Sequence, residues 1–123
     1  MTSPTGVPVP LGPEATASVV LNGSGNGTAK VGPLTAREVW QPANAHVSAN
    51  AQPTNDAQCQ VFVGDNTVTP ANFRDATFTG SSGDSTDRIN ADIVKCGHYV
   101  WAVWTGGDAG VTATLTVTGT KTI

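Results

Sequence analysis

The side chains best suited to acid–base, nucleophilic or metal chemistry are few in this 123-residue sequence: two histidines, two cysteines and nine carboxylates. His46 and His98 fall in strand-like patterns with no nucleophile motif beside them. No Gly-x-Ser-x-Gly occurs, and neither Cys59 nor Cys96 has a papain-like neighbourhood. Cys96 and His98, two positions apart on a strand, would share one face and nothing more. Both histidines are therefore expected to be structural. Asp84, Asp87 and Asp92 cluster around a polar loop, but the run 83–88 follows a calcium loop only loosely and includes Arg88. Solvated loop acids are the expectation there. Glu14 and Glu38, the only glutamates, are too far apart in sequence to suggest a glycosidase pair. The sequons at Asn22 and Asn26 read as turn residues, and the glycine-rich segments lead into no helix that could cradle phosphate. Trp40, followed by Gln41 and Pro42, is a candidate for stacking on a sugar, weighed against a place in the core. No catalytic residue, metal or cofactor is expected.

Composition points the same way. Charged residues are only 12% and hydrophobic ones 38%, while 25 serines and threonines, 14 glycines and 8 prolines supply strands and turns. Helix bundle, coiled coil and α/β architecture are excluded, and the apolar content is enough for a core. A net charge of −3 leaves no basic footprint for nucleic acid or an anionic membrane, and no apolar run approaches a membrane span. The first residues lack the basic and apolar regions of a secretory leader, so synthesis in a cytoplasm is expected. Two thiols in such a compartment are expected to stay reduced, although both lie in strand patterns that could be neighbours, which leaves a bridge open.

The elements that must position these side chains are strands. Period-two alternation marks 17–21, then a turn at 22–27 and a strand at 28–31. Further strands are expected at 37–41, ended by Pro42, at 45–49 as a separate strand or a continuation after a bulge, and at 58–63, 75–79 and 89–94. The strongest signals are 96–104 and 111–117, the latter with Val111, Ala113, Leu115 and Val117 inward against outward threonines. About eight strands at this spacing predict an all-β, two-sheet antiparallel β-sandwich, of jelly-roll type, over residues 16–123.

The segment 98–104 breaks the pattern. Tyr99, Trp101 and Val103 stand on one face and Val100, Ala102 and Trp104 on the other, so both faces are apolar. One face is core; the other requires cover from the N-terminal arm, a long loop or another subunit. Burying each large aromatic is worth about 2–3 kcal/mol. Residues 1–15 hold Pro4, Pro8, Pro10 and Pro13 and read as an extended, polyproline-like arm that cannot join a sheet interior. The arm either folds back on its own domain or lies on a neighbouring molecule, with Pro4, Val7, Pro8, Val9, Pro10 and Leu11 as its contact residues.

Several motifs together carry a family likeness. Gly-x-Gly-Thr-x-x-Val-Gly-Pro at 25–33, Trp40, Cys-x-Val-x-Val at 59–63, Trp-Thr-Gly-Gly-Asp-Ala-Gly at 104–110 and Leu-Thr-Val-Thr-Gly at 115–119 occur in this order. The pattern resembles small β-sandwich virion proteins of tailed phages that infect actinobacteria. It covers about residues 16–119, consists of turns and core residues, and includes neither cysteine as a feature. The resemblance implies a capsid decoration, head-fibre or minor tail protein and transfers no catalytic residue. The expectation is a non-enzymatic capsid decoration protein on the virion surface. Its arm would contact the major capsid protein or a neighbouring copy. Tyr99, Trp101 and Val103 would form a subunit contact, in a homo-oligomer such as a trimer. The alternative is a receptor- or glycan-binding module, with Trp40 or Tyr99 beside a polar site.

Overall fold

The computed structural model describes residues 8–49, 55–79 and 83–123. Pro4 and Val7 of the arm lie outside the described residues. Among the described residues there are ten strands rather than about eight: β1 (Val9–Pro10), β2 (Thr16–Val20), β3 (Gly27–Val31), β4 (Val39–Ala49), β5 (Gln58–Gly64), β6 (Phe73–Phe78), β7 (Asp84–Thr86), β8 (Val94–Lys95), β9 (Tyr99–Thr105) and β10 (Thr112–Thr122). They form two antiparallel sheets packed as a sandwich. In the first, β10 lies between β4 and an edge shared by β1 and β2, and β4 carries β7 and β8 on its far side. The second has the order β3-β9-β5-β6. Leaving aside the two-residue strands β1 and β8, the order β2-β10-β4-β7 over β3-β9-β5-β6 is that of a jelly roll.

The inward faces follow from period two. Ala113, Leu115 and Val117 of β10, Ala45 and Val47 of β4, Cys59, Val61 and Val63 of β5, and Val100, Ala102 and Trp104 of β9 make one core around Trp40 and Trp104. The threonines of β10 face outward, as the alternation requires.

Three elements differ from the sequence reading. Pro42 does not end a strand: of the two readings of 45–49, continuation after a bulge is the one found, and β4 runs through Pro42 as one 11-residue strand. Its ladder with β10 shifts register between Thr118 and Gly119. Gly119 has φ +145°, and a side chain there would run into the Gln41 carbonyl at 2.4 Å. Pro42 also falls between the residues of β4 that pair with β8 and those that pair with β7, so no neighbour on that side needs its missing N–H. Residues 89–94 form turns, closed by Asn90 N–H to Asp87 and Asp92 N–H to Ile89, with only Val94–Lys95 extended. Of the alternating apolar residues Ile89, Ala91 and Ile93, only Ile89 is buried, from a turn; Ala91 and Ile93 are exposed, and Val94 reaches the core from β8. The preceding triplet Asp84–Thr86, with no apolar residue, is the strand that fills this edge. Finally, β9 begins at Tyr99; Gly97, at φ +87°, and the His98 N–H to Lys95 bond turn the chain just before it.

The described part of the arm belongs to the sandwich. Val9 and Pro10 pair with Lys121 and Thr120 at the end of β10. Leu11 donates its N–H to Gly119 and packs on the core, and Ala15 is fully buried beyond a 3₁₀ turn, Pro13–Ala15. The folded domain therefore starts near Val9 rather than at residue 16. Pro10 enters a sheet because an edge strand leaves one side of its backbone without a partner. The Glu14 carboxylate clasps this segment to β10, accepting from Lys121 Nζ at 2.8 Å and from the Gly12 N–H at 3.1 Å.

Trp104 and Trp101, three positions apart on β9, measure the two faces separately. Trp104→Ala is expected to cost about 3–5 kcal/mol as a core truncation, and Trp101→Ala, half-exposed, about 1–2 kcal/mol. Urea unfolding of the two variants checks this; equal losses would contradict the assignment of faces.

Candidate partner-binding surface

The outer face of the second sheet is built by register. Trp101 of β9 stands opposite Lys30 of β3 on one side and Phe62 of β5 on the other, and Phe62 stands opposite Phe73 of β6. One row of outward side chains thus crosses all four strands: Lys30, Trp101, Phe62, Phe73. The next row towards the β2–β3 turn is Thr28, Val103, Gln60 and Ala76. Tyr99, opposite Gly64, lies on the other side of the aromatic row.

The row is held by specific contacts. Tyr99 meets Trp101 edge-on, with ring centroids 5.9 Å apart, and Phe62 meets Phe73 in the same way at 5.7 Å. Lys30 Nζ sits 4.4 Å from the Tyr99 centroid and 4.9 Å from that of Trp101, a cation over two rings. The same ammonium donates to Asn66 Oδ1 at 2.9 Å, and Trp101 Nε1 donates to the Asp65 carbonyl at 3.1 Å. Among the described residues the cover for the second face of β9 is therefore partial and local: the Lys30 stem and the 65–66 turn. The described part of the arm lies on the other sheet and contributes nothing to it. Tyr99, Trp101 and Val103 remain only partly buried.

Beyond Phe62 the face opens into a shallow apolar groove of about 390 Å³, lined by Gln60, Phe62, Val68, Thr69, Pro70 and Phe73. Its wall is a pinned loop. Thr67 Oγ1 donates to Asp65 Oδ1 at 2.7 Å, and Asn72 Nδ2 donates to the Thr67 carbonyl at 3.2 Å. Gly64 makes room for that amide, since a side chain there would meet Asn72 Nδ2 at 2.3 Å. The 3₁₀ turn Pro70–Asn72 and a bulge between Val61 and Phe62 then set Phe73 beside Phe62. Phe62 is only 7% exposed on this outer face, whereas Phe73 is 42% exposed.

Residues that sequence alone offered for chemistry are placed elsewhere. Trp40 is fully buried and donates Nε1 to Glu38 Oε1 at 2.5 Å, so it presents no ring to a sugar. Hydrophobicity beside a polar loop could not distinguish a core indole from a surface one; burial does. Glu38 and Glu14, remote in sequence, meet around Lys121, at 3.9 and 2.8 Å. His46 Nδ1 lies 2.8 Å from Ser85 Oγ across the β4–β7 ladder. Asp84 beside them bonds the Thr77 hydroxyl and the Ser85 N–H, which lower its pKa, and it bonds neither histidine nitrogen. The Ser–His–Asp relay is thus left incomplete. Asp92 forms a two-bond ion pair with Arg74, both contacts at 2.9 Å. Asn22 Oδ1 accepts the N–H groups of Ser24 and Asn26, as a turn residue should. Among the described residues no three His, Cys, Asp or Glu side chains gather as metal ligands.

Cys59 and Cys96 are free thiols and stand apart. Cys59 pairs with Trp104 at one end of β9, and Cys96 precedes Tyr99 at the other, so the strand between them, roughly 17 Å, exceeds the ~7 Å limit for a bridge. Burial pushes the Cys59 thiol up to about 12, the larger effect against a hydrogen bond to the Val103 backbone that lowers it.

The two-sided apolar run marks Tyr99, Trp101 and Val103 as sharing the outer face of β9, but gives no sign of Lys30, Phe62, Phe73 or the groove beside them. The run Val61-Phe62-Val63 carried the same two-sided signal. Comparison with known proteins adds no relative: no family model matches the chain, and no curated protein does.

In the folded protein one thiol, Cys96, is expected to react with a disulfide reagent, and both are expected to react in denaturant; two fast thiols in the native state would contradict the burial of Cys59. Lys121 and local N–H groups hold Glu14 at about 2, below its ordinary 4.5. Its contribution to stability is therefore present above pH 4.5 and lost as pH falls towards 2. Thermal melts of Glu14→Gln should show a smaller loss than the parent across that window, and an NMR titration of Glu14 with an ordinary midpoint would refute the clasp.

Proposed function

We propose that this chain is a non-enzymatic structural protein of a phage particle, a capsid decoration protein that self-associates on the capsid surface. The observation that carries this reading is the aromatic row Lys30–Trp101–Phe62–Phe73. It gives a four-strand sheet an outer face that is too apolar to be a solvated surface and only partly covered by its own chain. Such a face is suited to another protein surface rather than to a soluble small molecule.

Other features support the reading. The jelly roll is a compact wall-building domain that recurs in capsids, though fold alone does not define a role. The ionisable groups best placed for chemistry are tied into structural pairs: His46 with Ser85, Arg74 with Asp92, Glu14 and Glu38 with Lys121. The turns and core motifs that resemble actinophage virion proteins sit at the ends and centre of this same sandwich. Val9 and Pro10 are taken up by β10, so in this reading contact with the major capsid protein or a neighbouring copy falls to the residues before Val9, Pro4 and Val7 among them. A glycan-binding role loses its named contact with the burial of Trp40, and the Tyr99 ring is already faced by Lys30.

Co-sedimentation with capsids stripped of this protein tests the reading. The full chain is expected to be retained in stoichiometric amount. A chain lacking residues 2–7 should keep its urea midpoint, because the cut stops short of β1, yet be lost from the particles. Failure of the full chain to bind would refute the decoration role; retention of the truncated chain would refute the part assigned to the arm.

A further inference from the structure

We propose that the groove between β5 and β6 receives the proline arm of a second copy of this chain, with Pro4, Val7 and Pro8 seated against Phe62, Phe73, Val68 and Pro70. The inference rests on the self-association in the reading above and names the contact that produces it.

Chemistry matches arm to groove. Prolines at 4, 8 and 10 restrain the arm to an extended polyproline-like path, which has no internal hydrogen bonds and little conformational freedom to lose on docking. Grooves walled by aromatic rings are the recurrent seat for such segments. Here two phenylalanines set edge to face make one wall, Val68 and Pro70 the other, and Gln60 and Thr69 supply polar groups for arm carbonyls. The volume, about 390 Å³, falls at the lower end of the ~300–1,000 Å³ range of binding sites and suits a few small side chains. Residues 1–13 carry no charged side chain, and none lines the groove. Neither partner therefore has to desolvate a charged side chain.

Geometry selects a neighbour's groove over the chain's own. β1 runs antiparallel to β10, so the arm departs past Thr122, at the end of the sandwich where β5 ends and the groove lies. β1 nevertheless borders the β2–β3 side, and the groove is on the outer face of the other sheet, at β5 and β6. Two to three strand spacings, roughly 10–14 Å, and a further ~10 Å between sheets separate them through the body of the protein. Pro4 lies at most about 14 Å from Pro8 even at full extension. An arm fixed at Val9 cannot wrap round to its own groove with Pro4 and Val7 seated. It can enter the groove of a copy facing the same end, and repeating that exchange round a closed ring leaves no arm unused.

The test uses the full chain. Sedimentation across a concentration series is expected to show a discrete oligomer. Val7→Asp and Phe73→Gln, each checked for an unchanged circular dichroism spectrum, should each weaken it about tenfold or more. The double variant should be no weaker than the worse single, because both remove one contact. In a mixed sample of isotope-labelled and unlabelled chains, Val7 methyl protons should show nuclear Overhauser contacts to the Phe73 ring between molecules. If Phe73→Gln fails to fold, Val7→Asp and the mixed-label contacts decide the matter. An oligomer indifferent to Val7→Asp would overturn the arm exchange while leaving self-association standing through another surface, and contacts confined to one molecule would overturn it as well. A parent chain that stays monomeric at all concentrations would remove both the exchange and the self-association it rests on.

Discussion

The organising constraint is the position of β9. It is an inner strand of its sheet, flanked by β3 and β5, and its residues are apolar on both sides. Val100, Ala102 and Trp104 satisfy one side by closing the sandwich core. For the other side the described residues supply a lysine laid over two rings and a turn that takes the Trp101 indole proton. A cation over exposed rings contributes about 0.5–1 kcal/mol, less than full burial of one large aromatic would. The domain thus folds on its inner face, and its outer face is the one proposed for contact.

The remaining features serve this division. Charged groups stitch the periphery: Glu14 and Lys121 lock the first strand to the last, and Arg74 with Asp92 ties β6 to the 87–93 turns. Gly64, Asn72 and the 65–67 turn hold the groove wall without using any of its apolar surface. A rigid, preformed groove lowers the ordering cost of a partner, which matters when that partner is a short extended segment.

Much of the fold was readable because the long strands carry a strict period. β10, with inward Ala113, Leu115 and Val117, and β9, with its doubled pattern, determine the centre of the sandwich. What escaped was held together by something other than periodicity. β7 is Asp-Ser-Thr and pairs through its backbone and the His46–Ser85 contact. Ile89, Ala91 and Ile93 mimic a strand, yet only Ile89 enters the core, and from a turn. Pro42 left a stop and a bulged continuation both open, and the bulge at Gly119, remote in sequence, decides for continuation. Half of the proposed contact face was legible as an outward apolar strip, from Tyr99, Trp101 and Val103. The groove was not, because Phe73 reaches it through a 3₁₀ turn and a bulge that no short-range pattern encodes, and Trp40 gave no sign of which environment it occupies.

The central claim is that the outer face of this sheet is completed by another molecule of the assembly. Hydroxyl-radical footprinting of the full chain, dilute and then assembled, tests it most directly. Phe73 and Tyr99 should be modified in dilute solution and protected on assembly. Phe78, 63% exposed on the same sheet but outside the groove, should be modified in both. Equal modification of Phe73 and Tyr99 in the two states would contradict the account.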